Sequence, residues 1–181
     1  MEDLSLHILD VAENGLRAGA RHIWIRIRED LSADLMEIEV EDDGRGMEPE
    51  MAGKVLDPFV TSRTTRRVGL GLPLLEDAAR MADGRVQVSS AVGEGTCVRA
   101  TFRHGHIDRK PLGDMGSTLV SLVLGAPETD VIYEHRRDGG QFLLHTGELR
   151  EELDPVPLNR PEVVEWIREH VKEGLRAIGA L

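Results

Sequence analysis

The sequence is poor in several residues on which small folds and metal sites depend. Cys97 is the one cysteine among 181 residues, which excludes a disulfide framework and a cysteine zinc site. Aromatic residues make up 3% of the chain, so an aliphatic core is expected. Acidic residues outnumber basic ones by 33 to 22. Such a chain is a poor general binder of nucleic acid, because phosphate contacts need Lys and Arg.

Long apolar runs are also lacking. No run approaches the roughly 18 residues that a membrane-spanning helix needs, and the acidic N-terminus carries no secretory signal. We therefore expect a cytoplasmic protein without membrane association. A chain of 181 residues is long enough for one domain with a hydrophobic core and a small appendage.

Hydrophobic periodicity predicts the order α-β-β-α-loop-α-β-β up to residue 103. Helical periodicity covers residues 4–18, 49–56 and 70–81. Alternation of apolar and polar residues covers 22–28, 36–40, 85–90 and 96–103. This pairing of helices and strands favours an α/β (α+β) two-layer sandwich with antiparallel strand pairs.

The pattern changes at residue 104, which divides the chain into a first domain, 1–103, and a C-terminal extension, 104–181. The apolar run 117–124 is ambiguous between helix and strand. Alternating segments around Asp138-Gly139-Gly140 predict a β-hairpin. An amphipathic helix follows, with Asn159 as its predicted N-cap.

Four polar residues of the first predicted helix share one face: His7, Asp10, Asn14 and Arg17. The amide oxygen of Asn14 and the carboxylate of Asp10 could hold Mg²⁺ and orient a water molecule. The alternative is an ordinary solvent-exposed polar face.

Two inward-facing polar residues end or begin predicted strands. Asp42 is in phase with the buried positions of its strand, and Thr96 is in phase with those of the last strand. A buried carboxylate needs donors, and the amine of adenine would be one. Gly44 and Gly46 would let the backbone approach a flat base. The alternative is that Asp42-Asp43-Gly44 is simply a turn.

Glycines also open a predicted helix, at Gly69-Leu70-Gly71-Leu72. Backbone amides at such a helix start can bind phosphate. The preceding residues 61–67 include three arginines and could form a cationic lid. The pattern is neither a P-loop nor a dinucleotide-binding loop. The alternative is a plain loop that ends at a glycine.

Together these segments resemble the GHKL superfamily of ATPases, which includes DNA gyrase, large chaperone ATPases, histidine kinases and mismatch-repair ATPases. Five motifs occur in the family's order: Leu9–Ala20 as the N box, Asp42–Gly46 as the Asp-x-Gly-x-Gly box, Asp57–Arg63 as the start of the lid, Gly69–Leu72 as the second glycine box and Gly93–Thr96 as the closing motif. The resemblance implies the Bergerat fold, in which ATP lies between a helical layer and a mixed, mostly antiparallel sheet.

The resemblance also implies roles for individual residues. Asn14 would ligate Mg²⁺, Asp42 would bind the adenine amine, and Thr96 would lie behind it. Asp10 stands where hydrolysing members have a glutamate base, and Arg63 or Arg66 would steady the γ-phosphate. The walls of the ATP site would come from the glycine boxes: Gly44, Gly46, Gly69, Leu70, Gly71 and Leu72.

The chain departs from the family pattern in three respects. Arg67 replaces a usual glycine, the lid is short, and Asp10 is one methylene shorter than glutamate. Neither histidine-kinase dimerisation helices nor a gyrase-type transducer is recognised, so the chain resembles a free-standing ATP-binding domain. A kinase or signalling regulator that acts on an unidentified partner protein is favoured. An ATP-gated binding module and a slow ATPase are the alternatives, and a homodimer is left open.

Four histidines outside these motifs could form a metal cluster: His104, His106, His135 and His145. The sequence offers no carboxylate or thiol at ligand spacing beside them. We therefore expect these histidines to be exposed or capped.

Overall fold

The strands and helices follow one another in the predicted pairs. A computed structural model describes residues 2–56 and 71–181. In chain order the elements are α1 (Leu4–Arg17), β1 (His22–Asp30), β2 (Leu35–Asp42), α2 (Pro49–Ala52), α3 (Gly71–Met81), β3 (Arg85–Ala91), β4 (Gly95–Arg103), α4 (Met115–Gly125), β5 (Asp130–Arg137), β6 (Gly140–His145), α5 (Thr146–Leu153) and α6 (Pro161–Ala177). The second helix is shorter than predicted, and the ambiguous run 117–124 lies within α4.

The strands form one mixed sheet in the order β3-β4-β2-β1-β5-β6. All neighbours are antiparallel except β1 and β5, which are parallel. The helices α3, α1, α4 and α6 lie side by side over one face of this sheet. The predicted two-layer α/β fold is therefore confirmed. Within the described ranges, no helix has both the length and the apolar character needed to cross a membrane.

The aliphatic core lies between these two layers. On β1, Ile23, Ile25 and Ile27 are at most 1% exposed, as the alternation predicted. The opposite face carries ion pairs between strands, where Arg26 Nη1 donates to Glu39 Oε1 at 2.6 Å and to Glu41 Oε2 at 2.7 Å. Each strand therefore has one face in the core and one toward solvent.

The segment 104–181 extends the same sheet. Its strand β5 pairs with β1 from His22 to Glu29, and β6 follows as the predicted hairpin partner. Helix α4 packs between α1 and α6. The two segments therefore share one core, and the domain boundary at residue 103 stays a prediction.

Two local predictions in this region were wrong or incomplete. Arg160, rather than Asn159, is the N-cap of α6, and it makes no capping hydrogen bond from its side chain. Helix α5 was not predicted. It starts directly after β6, where His145 Nδ1 accepts a hydrogen bond from Glu148 N at 3.0 Å.

The placement of His7 on the polar face of α1 was also wrong, because its side chain is 1% exposed. Burial, followed by the nearby charge of Lys110, lowers the pKa of His7 to about 4. His7 is therefore a neutral core residue at pH 7.

A buried polar cluster connects the two segments at the end of β1. Glu29 is 7% exposed and accepts hydrogen bonds from His135 Nε2 at 2.7 Å and Arg137 Nη1 at 3.2 Å. Its other contact is with His104 Nε2 at 2.6 Å. Burial alone would raise the pKa of Glu29, but the hydrogen bonds with His135 and His104, followed by the charges of His135 and Arg137, lower it to about 2.

Tyr133 extends this cluster. Burial raises the pKa of its phenol well above the ordinary value, so the hydroxyl keeps its proton. The hydroxyl lies within hydrogen-bond distance of His135 Nδ1, at 2.8 Å, while His135 Nε2 contacts Glu29 Oε1.

Replacement of Glu29 by Gln should lower the free energy of unfolding at pH 7 by about 3 kcal/mol, because the buried imidazoles and Arg137 lose their carboxylate. Since the folded pKa of about 2 lies below the ordinary 4.5, the wild-type contribution is present above pH 4.5 and lost as the pH falls toward 2. Urea unfolding across this range should show a shallower fall for Glu29→Gln. The exposed Glu173→Gln is the control, and equal slopes for both variants would contradict the assignment.

Candidate functional site

A pocket of about 810 Å³ opens between α1, the ends of β2 and β4, and the start of α3. Helix α1 supplies Asp10, Asn14 and Arg17, and the strands supply Asp42 and Thr96. Apolar walls come from Met47, Val55, Leu72 and Val98. A concave site with apolar walls and a few convergent polar groups is the usual form of a small-molecule pocket.

The floor of the pocket is formed by Asp42 and Thr96, which are paired across β2 and β4. Asp42 Oδ1 accepts a hydrogen bond from Gly44 N at 2.9 Å. Burial raises the pKa of the Asp42 carboxyl above its ordinary value, so the negative charge lacks sufficient stabilisation by protein donors. A ligand that donates a hydrogen bond here would supply the missing stabilisation.

Ser90 completes this floor and was missed in the sequence. Its Oγ donates to Gly95 O at 2.8 Å and accepts from Met47 N at 2.9 Å. Thr96 Oγ1 lies 2.9 Å from the same oxygen and must be the donor, since the Ser90 proton is already used. The free lone pairs of Thr96 Oγ1 therefore remain available to accept from a ligand or water.

The close approach of α1 to the floor depends on Gly15, which was also missed. A Cβ on Gly15 would lie 2.7 Å from Asp42 Cβ and 3.0 Å from Asp42 Cγ. Glycine inside a helix costs about 0.5–1 kcal/mol relative to alanine. That local cost was the available signal that another part of the chain lies against this position.

Two predicted glycines fit the same close packing. A Cβ on Gly44 would lie 2.8 Å from Asp42 Oδ1. Gly46 has a φ of +66°, and a Cβ there would lie 1.9 Å from Ala91 O. The loop after β2 therefore requires glycine both for its backbone conformation and for space.

The polar face of α1 borders the pocket. Arg17 Nη1 donates to Asn14 Oδ1 at 2.6 Å, and Arg17 Nη2 donates to Glu13 Oε2 at 2.5 Å. Asn14 Oδ1, the oxygen predicted to bind a metal, therefore accepts a hydrogen bond from the guanidinium of Arg17.

Asp10 lies against the N-terminus of α3. A Cβ on Gly71 would be 1.5 Å from Asp10 Oδ2, so a side chain at this position would displace the Asp10 carboxylate. Leu72 follows on the pocket wall and is 8% exposed. The structure therefore brings Asp10 and the described half of the second glycine box together.

Other predicted residues are outside this arrangement. Arg63, Gly69 and Leu70, with the rest of the segment 57–70, lie outside the described residues. In the described part of the chain, no group of three or more His, Cys, Asp or Glu side chains could hold a metal ion. Within the same described residues, His104, His106, His135 and His145 therefore do not form a metal site.

Comparison with known proteins identifies a family model that matches the first part of the chain. Residues 2–106 match the model described as histidine kinase-, DNA gyrase B-, and HSP90-like ATPase. A solved structure, the N-terminal domain of a DNA repair protein, aligns with 97% of this chain and 59% of its own, with a TM-score of 0.56 and 15% identity. This likeness concerns the fold.

Curated relatives include sensor kinases. The non-motile and phage-resistance protein of Caulobacter vibrioides is 35% identical over 99 residues, which are 52% of this chain and 12% of the relative. The sensor protein kinase PilS of Pseudomonas aeruginosa is 30% identical over 100 residues, which are 52% of this chain and 19% of the relative. The matched part thus spans less than a quarter of either relative.

Substitution of Gly15 by Ala should destabilise the protein by about 1–3 kcal/mol, because the new methyl group would collide with Asp42 Cβ in a packed interface. Helix propensity alone predicts the opposite sign. The control is Gly125→Ala at the end of α4, where a Cβ meets nothing within 4 Å. Thermal and urea unfolding of both variants would measure the difference, and an unchanged stability of Gly15→Ala would refute the close contact.

Proposed function

This chain belongs to the family of histidine kinase-, DNA gyrase B- and HSP90-like ATPases, and we propose that it binds Mg-ATP in the pocket between α1 and the sheet. The observation that carries the proposal is the half-buried Asp42 carboxylate, whose pKa is raised by burial at the floor of this pocket. We further propose that the protein is a cytoplasmic kinase or signalling regulator that acts on a partner protein.

The base would be recognised by the floor of the pocket. An ionised Asp42 offers only hydrogen-bond acceptors, and the exocyclic amine of adenine donates hydrogen bonds. Thr96 presents an acceptor beside it, because its proton is directed to Ser90. Gly44 and Gly46 have no side chains, so a flat ring could lie directly against the backbone there.

The phosphates and the metal would lie at the other end of the pocket. Asn14 supplies an amide oxygen, which is a ligand type that Mg²⁺ accepts, and Arg17 Nη1 would have to release this oxygen when the metal binds. The start of α3 at Gly71 offers backbone amides and the positive end of a helix dipole to phosphate oxygens. The bound metal would neutralise phosphate charge, while these residues orient the chain of phosphates.

Replacement of Asp42 by Asn should weaken Mg-ATP binding about 10- to 100-fold, since a charge-assisted hydrogen bond is lost and an amide donor faces the adenine amine. Titration calorimetry with Mg-ATP would measure the dissociation constant. Asp77→Asn, which removes only an exposed partner of Arg80 on α3, is the matched control. Equal affinities for the two variants would exclude Asp42 as the adenine ligand.

A slow ATPase is a second candidate because of the position of Asp10. Its carboxylate lies at the start of α3, the proposed phosphate end of the pocket, and could accept a proton from an attacking water. The Asp10 side chain is shorter than the glutamate that hydrolysing members of the family use, so the rate of ATP hydrolysis is the quantity to measure.

The variant Asp10→Asn keeps the shape of the side chain and removes its basicity. If Asp10 is the base, phosphate release should fall about 10²- to 10⁴-fold, with the affinity for Mg-ATP nearly unchanged. Labelled ATP distinguishes free phosphate from phosphate transferred to a protein. Unchanged turnover in Asp10→Asn would exclude Asp10, whereas ATP binding without any turnover in the wild type would favour the ATP-gated module.

A further inference from the structure

The loop between α1 and β1 contacts both the pocket and the C-terminal segment. On the pocket side, Arg21 N donates to Asp43 Oδ1 at 2.7 Å. On the other side, Asp130 N donates to Arg21 O at 2.8 Å, and Thr129 Oγ1 donates to Ala20 O at 3.3 Å. Residues 20–22 are therefore held between the loop that follows Asp42 and the start of β5.

One imidazole joins the carboxylates on the two sides. His22 Nδ1 is 2.7 Å from Asp43 Oδ2, and His22 Nε2 is 3.8 Å from Asp130 Oδ2. Asp130 in turn accepts a hydrogen bond from Arg150 Nη1 of α5 at 2.6 Å. We call the four residues Asp43, His22, Asp130 and Arg150 the His22 bridge.

We propose that His22 is a positioning residue that couples the C-terminal segment 104–181 to the adenine-binding loop. The proposal rests on the proposed function, since the loop begins at Asp42. Asp43 follows Asp42 directly, and its carboxylate takes hydrogen bonds from the backbone of Arg21 and His22 as well as from the imidazole. A change at Asp130 or α5 therefore alters the position of Asp42 through His22.

The contacts of Asp43 show that the connection is electrostatically favourable. Burial alone would raise the pKa of Asp43, but hydrogen bonds from His22 and Arg21 outweigh this and lower it. The charged groups that face the imidazole are Asp43 after β2 and Asp130 on β5. On its own strand, the ring of Trp24 stacks on it at 5.6 Å.

The charge state of His22 determines how many carboxylates it can hold. A protonated imidazole donates from both nitrogens, and a neutral one donates from only one. At 3.8 Å, the contact of His22 Nε2 with Asp130 is an ion pair of a protonated imidazole rather than a hydrogen bond.

Affinity for Mg-ATP, measured by calorimetry in a double-mutant cycle, tests the coupling. We expect His22→Phe and Asp130→Asn each to weaken binding about three- to tenfold. The double variant should bind Mg-ATP no more weakly than the single variant with the lower affinity. Asp130 does not line the pocket, so an effect of Asp130→Asn that disappears in the His22→Phe background is transmitted by His22. The matched control is His106→Gln, which alters a histidine between Asp83 and Asp108 at the opposite end of β4.

A conservative variant separates positioning from general stability. His22→Gln keeps a neutral donor toward Asp43, so it should restore most of the affinity that His22→Phe loses. Unfolding curves for each variant show which variants fold. If His22→Phe does not fold, the comparison of Asp130→Asn with His22→Gln tests the coupling instead.

The outcomes separate this inference from the proposed function. If the wild type binds Mg-ATP and all bridge variants bind it equally well, the coupling is overturned and the proposed function is left intact. The same holds if the effects of His22→Phe and Asp130→Asn are additive. A wild type that does not bind Mg-ATP would overturn both.

Discussion

The pocket depends on the close approach of α1 to β2. Gly15 faces Asp42 with no room for a methyl group, so the helix lies as near to the strand as its backbone allows. The same helix buries Ile8 and Val11 in the core and directs Asp10 and Asn14 toward the pocket. One contact thus contributes both to the stability of the fold and to the shape of the site, which explains why a helix-weakening glycine stands at this position.

Strand parity was sufficient to place Asp42 and Thr96 on the inner face, because side chains alternate with a period of two whichever strands are neighbours. Ser90 required the pairing of β3 with β4, a long-range property that local patterns do not contain. His7 was misplaced because α1 is covered by α3 and α4 as well as by the sheet, so its buried arc is wider than one apolar stripe. Helix α5 is too short for a clear periodicity.

The matched family region ends at residue 106, but the sheet does not end with it. Four strands come from the first segment, and the other two come from the C-terminal segment. Glu29 joins the two, since His104 follows directly after β4 and His135 lies on β5. The His22 bridge lies at the opposite end of β1. The C-terminal segment is therefore attached at both ends of one strand, so displacement of β5 would disturb the polar contacts at each end.

The parallel pairing of β1 with β5 has a consequence for how the molecule assembles. Glu29 and Arg137, which meet at its end, are 108 residues apart in the chain. Contacts of such sequence separation form slowly, because a long loop must be closed first. During synthesis β1 therefore has one unpaired edge until residues 130–137 have left the ribosome, and such an edge can pair with another chain. The pairing of β5 with β1 therefore also covers an edge at which a partly synthesised chain could associate with another chain.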